Sequence, residues 1–305
     1  MGGRTVEISN PGKVLFPGDG ITKADLVDYY ERVADAMLPH LQGRFVSMER
    51  FPDGIDGKSF FQKDVPDYFP DWIHTEVVEK EGGTLRQVVV DDAATLVYLA
   101  NQACVTPHVW LSRAGHRHHP DRMVFDLDPS GDDPDDVRRA AREVAALLDD
   151  LGLVPFVMTS GSRGYHLHVP LDGEADFDRV RAFARGVAAV LVARDPDRFT
   201  VEQRKAGRGE RIFVDVLRNA YAQTAVAPYS VRAREGAPVA TPLALDELKG
   251  SELHPRRYTT GNLFRRLSRK EDPWKGMGRR ARGLEGPEAA LEAALAPFSA
   301  PRTPS

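Results

Sequence analysis

The chemistry-bearing residues of this chain fall in short alternating runs. Asp126 and Asp128 close the run R-M-V-F-D-L-D that begins at Arg122. If the run is a strand, its side chains alternate, and both carboxylates share one face while Phe125 and Leu127 share the other. In the same way His166 and His168 oppose Tyr165, Leu167 and Val169, and Phe213 and Asp215 oppose Val214 and Val216. With the apolar sides all turned inward, three carboxylates and two imidazoles reach one surface. Close carboxylates raise each other's pKa, and a divalent cation removes that cost. Oxygen donors of this kind select Mg²⁺ or Mn²⁺. Two such ions suit phosphoryl transfer, where one activates a hydroxyl and both steady a leaving pyrophosphate. The turn Ser160-Gly161-Ser162-Arg163-Gly164 offers backbone N–H groups, hydroxyls and a guanidinium to phosphate oxygens.

The elements that must hold these residues are legible in the middle of the chain. Arg122 to Asp128 reads as a strand. Asp133 then Pro134 starts a helix, Val137, Ala141, Val144, Leu148 and Leu151 mark its buried face, and Gly152 closes it. Leu153 to Thr159 is a second strand, and Tyr165 to Leu171 a third. Phe177, Val180, Ala184, Val187 and Leu191 trace a second helix, and Arg211 to Leu217 gives a fourth strand. The order β-α-β-β-α-β is the split βαβ, or ferredoxin-like, plan, with both helices on one face and the other face free. Upstream, Thr22 caps a helix from about Lys23 to Leu41, Arg86 to Val90 reads as a strand, and Asp91-Asp92 caps a helix running to about Gln102. A short helix with Pro287 in its first turn, then a frayed end, is expected from Gly283 to Ser305.

Composition bounds the class. With 305 residues, 42% hydrophobic and 28% charged, the chain resembles an ordinary globular protein and not a disordered one. One cysteine, Cys104, excludes a disulfide framework and suits a reducing compartment. No charged-then-apolar leader opens the sequence, and no apolar stretch approaches the ~18 residues of a membrane span. A cytoplasmic protein with no membrane partner is expected. The net charge of −4 hides an uneven distribution. Six acids lie between Asp126 and Asp136, whereas ten Lys or Arg lie between Arg256 and Arg282. An anionic pocket beside a cationic track suits an enzyme acting on phosphates; a solvated basic face is the plainer reading.

Three groups are open to plain readings. Phe60-Phe61, between Lys58 and Lys63, fits either a nucleic-acid contact or a core pair. Cys104, His108, His116, His118 and His119 have a trace of zinc spacing but only one cysteine. Tyr258, Phe264 and Trp274 within the basic stretch fit a strand-binding surface or ordinary anchoring.

Taken together, Asp126-Leu-Asp128, Ser162-Arg-Gly-Tyr-His166 and Val214-Asp215 resemble the three motifs of the archaeo-eukaryotic primase superfamily. The run from Arg211 to Arg232 and the N-terminal N-P-G-K-V-L-F-P with I-T-K are similar to the polymerase domain of bacterial DNA ligase D, across about residues 5 to 290. The resemblance implies an α+β primase-polymerase fold with a split βαβ (RRM/ferredoxin-like) catalytic core and an N-terminal α/β subdomain. The corresponding divisions are 1–121 for DNA-end contacts, 122–283 for the core and 284–305 for a helix and flexible tail. It implies a nucleotidyltransferase that extends DNA ends in end joining, favours ribonucleotides and works with Mn²⁺ or Mg²⁺. By the same likeness Asp126, Asp128 and Asp215 are the catalytic metal ligands. His108, Ser160, Ser162, Arg163, His166 and Arg232 contact the nucleoside triphosphate. Asn10, Lys13, Lys23 and Arg50 hold DNA, the first three at the 5′-phosphate across a gap, and Phe60 and Phe61 stack on or wedge the template. Arg163 stands where many relatives carry Lys, which changes its donor geometry. The charged Gln203–Glu210 loop is placed to steer primer or template. Partners so implied are DNA with gaps, nicks or broken ends, a separate ligase and Ku; no ligase or nuclease module is legible in this chain.

Two other classes compete. F-D-L-D-P-S from Phe125 resembles the opening of aspartate-nucleophile phosphatases, which use a parallel doubly wound sheet. The β-α-β-β-α-β plan also serves non-catalytic nucleic-acid binding, though here the sheet face carries acids.

Overall fold

A small hairpin, β1 (Val14–Phe16) with β2 (Ile21–Thr22), leads into α1 (Lys23–Leu41). The structure is a computed structural model that describes residues 4–80 and 82–299. Thr22 begins α1 through a capping box: its hydroxyl accepts from the Asp25 N–H, and the Asp25 carboxylate accepts from the Thr22 N–H. One sheet follows, built from β3 (Arg44–Arg50), β4 (Phe60–Gln62), β5 (Thr75–Lys80) and β6 (Gly83–Val90), with β7 (Cys104–Trp110) after α2 (Ala93–Asn101). Asp92 caps α2, as expected, by accepting from the Thr95 N–H. Alternation on β3 and β7 buries Val46, Met48, Val105 and Val109 in one core with α1 and α2. It turns Ser47, Glu49 and His108 to the opposite face.

The second sheet follows the predicted order. β8 (Arg122–Pro129), α3 (Pro134–Asp150), β9 (Phe156–Thr159), β10 (Tyr165–Pro170), α4 (Phe177–Arg194) and β12 (Ile212–Asp215) form the β-α-β-β-α-β series, with short β11 (Phe199–Thr200) and α5 (Lys205–Arg208) before the last strand. The strand order is β11-β12-β8-β10-β9-β14. β10 lies antiparallel between β8 and β9, which is the split βαβ arrangement. Phe125, Leu127, Leu167, Val187 and Val214 pack with α3 and α4 in one core. Because β8 is antiparallel to both neighbours, the sheet is not the parallel one that the phosphatase alternative requires.

After β12 the chain stitches the two sheets together. β13 (Thr224–Val226) pairs with β7 of the first, and β14 (Pro242–Leu243) with β9 of the second. α6 (Leu263–Leu267) and α7 (Glu285–Ser299) complete the described chain, Arg179 of α4 holding Glu288 of α7 at 2.7 and 2.9 Å. The frayed end expected near Ser305 lies outside the described residues.

Three expectations need correction. The second strand begins at Phe156, not Leu153, because the Leu153 N–H is spent on Leu148 O in a Schellman-type helix end, and Pro155 has no N–H. The fourth strand stops at Asp215, whose carboxylate accepts the Leu217 N–H and bends the chain into a short 3₁₀ turn. The open sheet face is free only over part of its length. At the other end, Trp274 covers His168, with ring centroids 4.8 Å apart, and anchors its indole N–H on Val157 O. Among the described residues, no helix is long and apolar enough to cross a membrane.

Candidate active site

Register brings the acids together. Asp126 lies directly opposite Asp215 on β12 and opposite His166 on β10. Its carboxylate meets His166 Nε2 at 3.2 Å. Burial pushes the Asp126 carboxyl upward, but the charge and hydrogen bond of His166, with Arg218 and Arg232, hold it below the ordinary value. Asp215 moves the other way: burial raises it, and the neighbouring Asp126 charge adds to that, against the Leu217 N–H. Asp128 is on the same face, two residues further along. Arg208 meets it at 3.0 Å, stacks at 3.9 Å on Phe213 and donates to Glu202 O and Gln203 O.

The Ser160–Gly164 turn is drawn tight by its first residue. Ser160 Oγ accepts the N–H groups of Ser162 and Gly164, each at 3.1 Å, so these two donors are already engaged. Arg232 fixes the Ser160 carbonyl at 2.8 Å. Arg163 is half-exposed and lies on Gly131 O and Asp132, away from its own turn.

The first sheet supplies the opposite wall. His108 bonds Glu49 through Nε2 at 3.3 Å, and burial is the main cause holding its imidazole below the ordinary value. Arg232 and Arg218 act electrostatically on both His108 and Asp126, so the two sheets share their cationic neighbours. Phe61 packs edge-on against His108, yet Phe60 and Phe61 are 46% and 56% exposed, which removes the core-pair reading. Arg50 sits 5.5 Å over Phe60 and is tethered to Gln62 and Gln102. Near the N-terminus, Asn10 has a left-handed φ of 47° and Lys13 pairs with Asp53. Lys23 is buried beside Ser9, its pKa lowered by burial and then by Lys13 and Arg50. Asn10, Lys13, Lys23 and Arg50 thus belong to one cationic corner.

Other candidates separate from the site. His168 is buried, with neither ring nitrogen hydrogen-bonded, and burial with nearby cations pulls its pKa well down. Cys104 is buried, burial pushes its thiol up, and His118 stacks on Tyr221. Among the described residues, no three His, Cys, Asp or Glu side chains form a ready metal cage: the zinc spacing has no structural counterpart, and the three acids do not form one as they stand, Asp128 being held by Arg208. Sequence reasoning did not single out Arg208, Arg218 or Glu49. The first lay inside the flagged charged loop, and Arg218 follows Asp215 by three residues. Glu49 carried no signal, since only the β3–β7 register brings it to His108.

A split βαβ core with carboxylates from adjacent strands on its uncovered face, walled by a second sheet, defines a primase-polymerase class of domain. The comparisons give the family. Residues 22–274 match the family described as LigD, primase-polymerase domain, and the chain belongs to it. It is 36% identical over 256 residues to the multifunctional non-homologous end joining protein LigD of Mycolicibacterium smegmatis, covering 83% of this chain and 34% of that protein. It is 33% identical over 271 residues to the bifunctional non-homologous end joining protein LigD of Bacillus subtilis, covering 88% and 43%. This chain therefore spans about a third to two fifths of these relatives. A solved polymerase domain from Mycobacterium tuberculosis ligase D in complex with DNA matches with a TM-score of 0.85 and 35% identity, covering 91% of this chain and 99% of that one.

Proposed function

We propose that this chain is a DNA-directed nucleotidyltransferase that extends or fills broken, gapped or nicked DNA ends in end joining, with a preference for ribonucleotides. The observation that carries the reading is the placement of Asp126 and Asp215 directly opposite each other on adjacent strands, with Asp128 on the same face. Their donors fit a hard divalent ion. All are carboxylate oxygens, and Asp215 carries a burdened charge that a cation beside Asp126 would relieve. Asp126, Asp128 and Asp215 would hold Mn²⁺ or Mg²⁺, one or two ions, which when bound lower the charge cost of attack and of pyrophosphate departure. Arg208 must release Asp128 for the full set to be available.

The remaining residues bind and orient. His166 fixes the Asp126 carboxylate. Arg232 and Ser162 of the Ser160–Gly164 turn would offer a triphosphate cationic and hydroxyl donors, and Arg163 would join them on leaving Gly131 O and Asp132. His108, held by Glu49, faces the sugar or base side of the nucleotide. The corner of Asn10, Lys13, Lys23 and Arg50 suits a DNA 5′-phosphate, and exposed Phe60 and Phe61 suit stacking on template bases. The LigD relatives are named for non-homologous end joining, which motivates Ku and a ligase as partners.

A gapped duplex with a 5′-phosphate, incubated with ribo- or deoxyribonucleoside triphosphates and Mn²⁺ or Mg²⁺, should be extended, more with ribonucleotides. Asp126→Ala or Asp215→Ala should lower extension at least ~10³-fold, while gel-shift affinity for the duplex is kept. Extension by either variant at the native rate would refute the assignment.

A further inference from the structure

The same strand that carries the acids begins with an arginine whose guanidinium has no hydrogen-bond partner among the described residues. Arg122, Val124, Asp126 and Asp128 alternate onto one face of β8, so Arg122 lies roughly 13 Å from Asp126 by strand rise. His168 and Trp274 lie along this face, beside Val124, away from the acids. Arg122 is only 6% exposed, yet its guanidinium makes no hydrogen bond or ion pair with any described residue. It lines a cavity of about 470 Å³ bounded by Pro39, Pro170, Trp274 and Met277.

Two further guanidinium groups line this cavity. Arg44, from β3, donates to His40 O, Trp110 O and Asp121. Arg113, from the loop after β7, shares the same Asp121. One carboxylate therefore answers two arginines at contact distance, and it attracts Arg122 without a hydrogen bond to it. The other lining acids are engaged or peripheral. Asp272 accepts from the Tyr229 hydroxyl and pairs with His40, Glu271 pairs with Lys275, and Asp35 is exposed on α1. A buried guanidinium with unused donors is costly unless an anion supplies the missing acceptors. Burial and then Arg44 weigh against the Arg122 charge, Asp121 offsets part of this, and Arg113 adds to the burden.

We propose that this cavity is a phosphate-binding site, in which Arg122, Arg44 and Arg113 hold a phosphoryl group. Guanidinium forks arriving from three different elements suit an oxyanion with several acceptor oxygens. The site stands apart from the acids and holds whether or not the nucleotidyl-transfer reading does. Its phosphate is either free, as inorganic phosphate or pyrophosphate, or part of a nucleic-acid backbone.

Calorimetric titration of the whole metal-free chain separates the cases, with inorganic phosphate, pyrophosphate and a single-stranded DNA dodecamer with a 5′-hydroxyl as probes. The native chain and an Arg142→Ala control, at an exposed position of α3, should bind at least one probe alike. Arg122→Gln and Arg113→Ala should each bind that probe about tenfold or more weakly, the scale of one lost charge-assisted contact. Loss confined to the inorganic anions identifies a free ligand; loss confined to the dodecamer identifies a strand. Should Arg122→Gln fail to fold, the half-exposed Arg113→Ala decides alone. Native-like binding by both site variants, equal weakening in Arg142→Ala, or no binding of any probe by the native chain would overturn the proposal.

Discussion

At the scale of single residues, the candidate site depends on two glycines that act for different reasons. Gly161 has φ +63°, and a Cβ there would meet Arg232 Cγ at 2.7 Å. Gly164 is the stricter case: a Cβ would stand 1.7 Å from the Leu127 carbonyl oxygen, which lies between Asp126 and Asp128. The β8–β10 backbones approach so closely that no side chain fits. Gly164→Ala should therefore cost roughly 2–4 kcal/mol, as overpacking against backbone does, and should impair extension more than its stability loss explains. Chemical denaturation alongside single-turnover extension measures both; unchanged activity in the folded fraction would mean the strand shifts without disturbing the acids. Arg208 makes the opposite kind of prediction. It holds Asp128, whose side chain is 44% exposed, so its removal frees a carboxylate, while the lost stack on Phe213 and the bonds to Glu202 O and Gln203 O lower stability, which thermal denaturation reads separately. Arg208→Ala should tighten Mn²⁺ binding to the DNA-free chain a few-fold, roughly 0.5–1 kcal/mol, in a spin-resonance titration. Equal or weaker affinity would show that the guanidinium does not compete with the ion.

At the scale of elements, what was legible in sequence was local. The β-α-β-β-α-β order, the alternation that put Asp126, Asp128 and Asp215 on one face, and the caps at Thr22, Asp92 and Asp133 all follow from periods and capping chemistry spanning a few residues. What was not legible depends on contacts between distant segments. Nothing near Thr224 announces pairing with β7, and nothing near Trp274 announces that it covers His168, 106 positions earlier in the chain. Arg208 and Glu49 escaped for the same reason, since each meets its partner only through tertiary register. The residues that family likeness singles out fall in two clusters, the acid face with its turn and the Lys13–Lys23–Arg50 corner, which single-strand alternation does not relate. The cap at Thr22 bears on the proposed DNA contact because Lys23, the first residue of α1, sits in that corner. Thr22→Ala removes one side of the capping box and should cost about 1 kcal/mol. It should also weaken discrimination for a 5′-phosphorylated gap over a 5′-hydroxyl one in binding assays. Lost stability with that discrimination intact would separate the cap from the corner.

At the scale of the whole molecule, the buried ionisable groups predict a one-sided response to acid. His40, His108 and His168 are each held below their ordinary value of 6.5, chiefly by burial, so the unfolded chain takes up protons there that the folded chain refuses. That linkage makes stability fall as pH drops below about 6.5. The carboxylates add to it. Despite burial, Glu247 is lowered from 4.5 to about 2 by Arg266, the Ala244 N–H and Lys270, and Asp121 and Asp272 are lowered by their own partners. Each contributes stability that is complete above its ordinary value and lost as pH falls through its depressed one. Asp215, raised by burial and by Asp126, acts in the opposite sense but is a single group. The melting temperature of the metal-free chain should therefore decline from pH 6.5 to 5 and more steeply below 4.5. Glu247→Gln should flatten the lower part of that decline by roughly 1–3 kcal/mol, since the shift is about two and a half pH units and the side chain is 14% exposed. A melting temperature that rises between pH 7 and 5 would contradict the neutral state of the buried imidazoles, and with it the packing of His168 under Trp274.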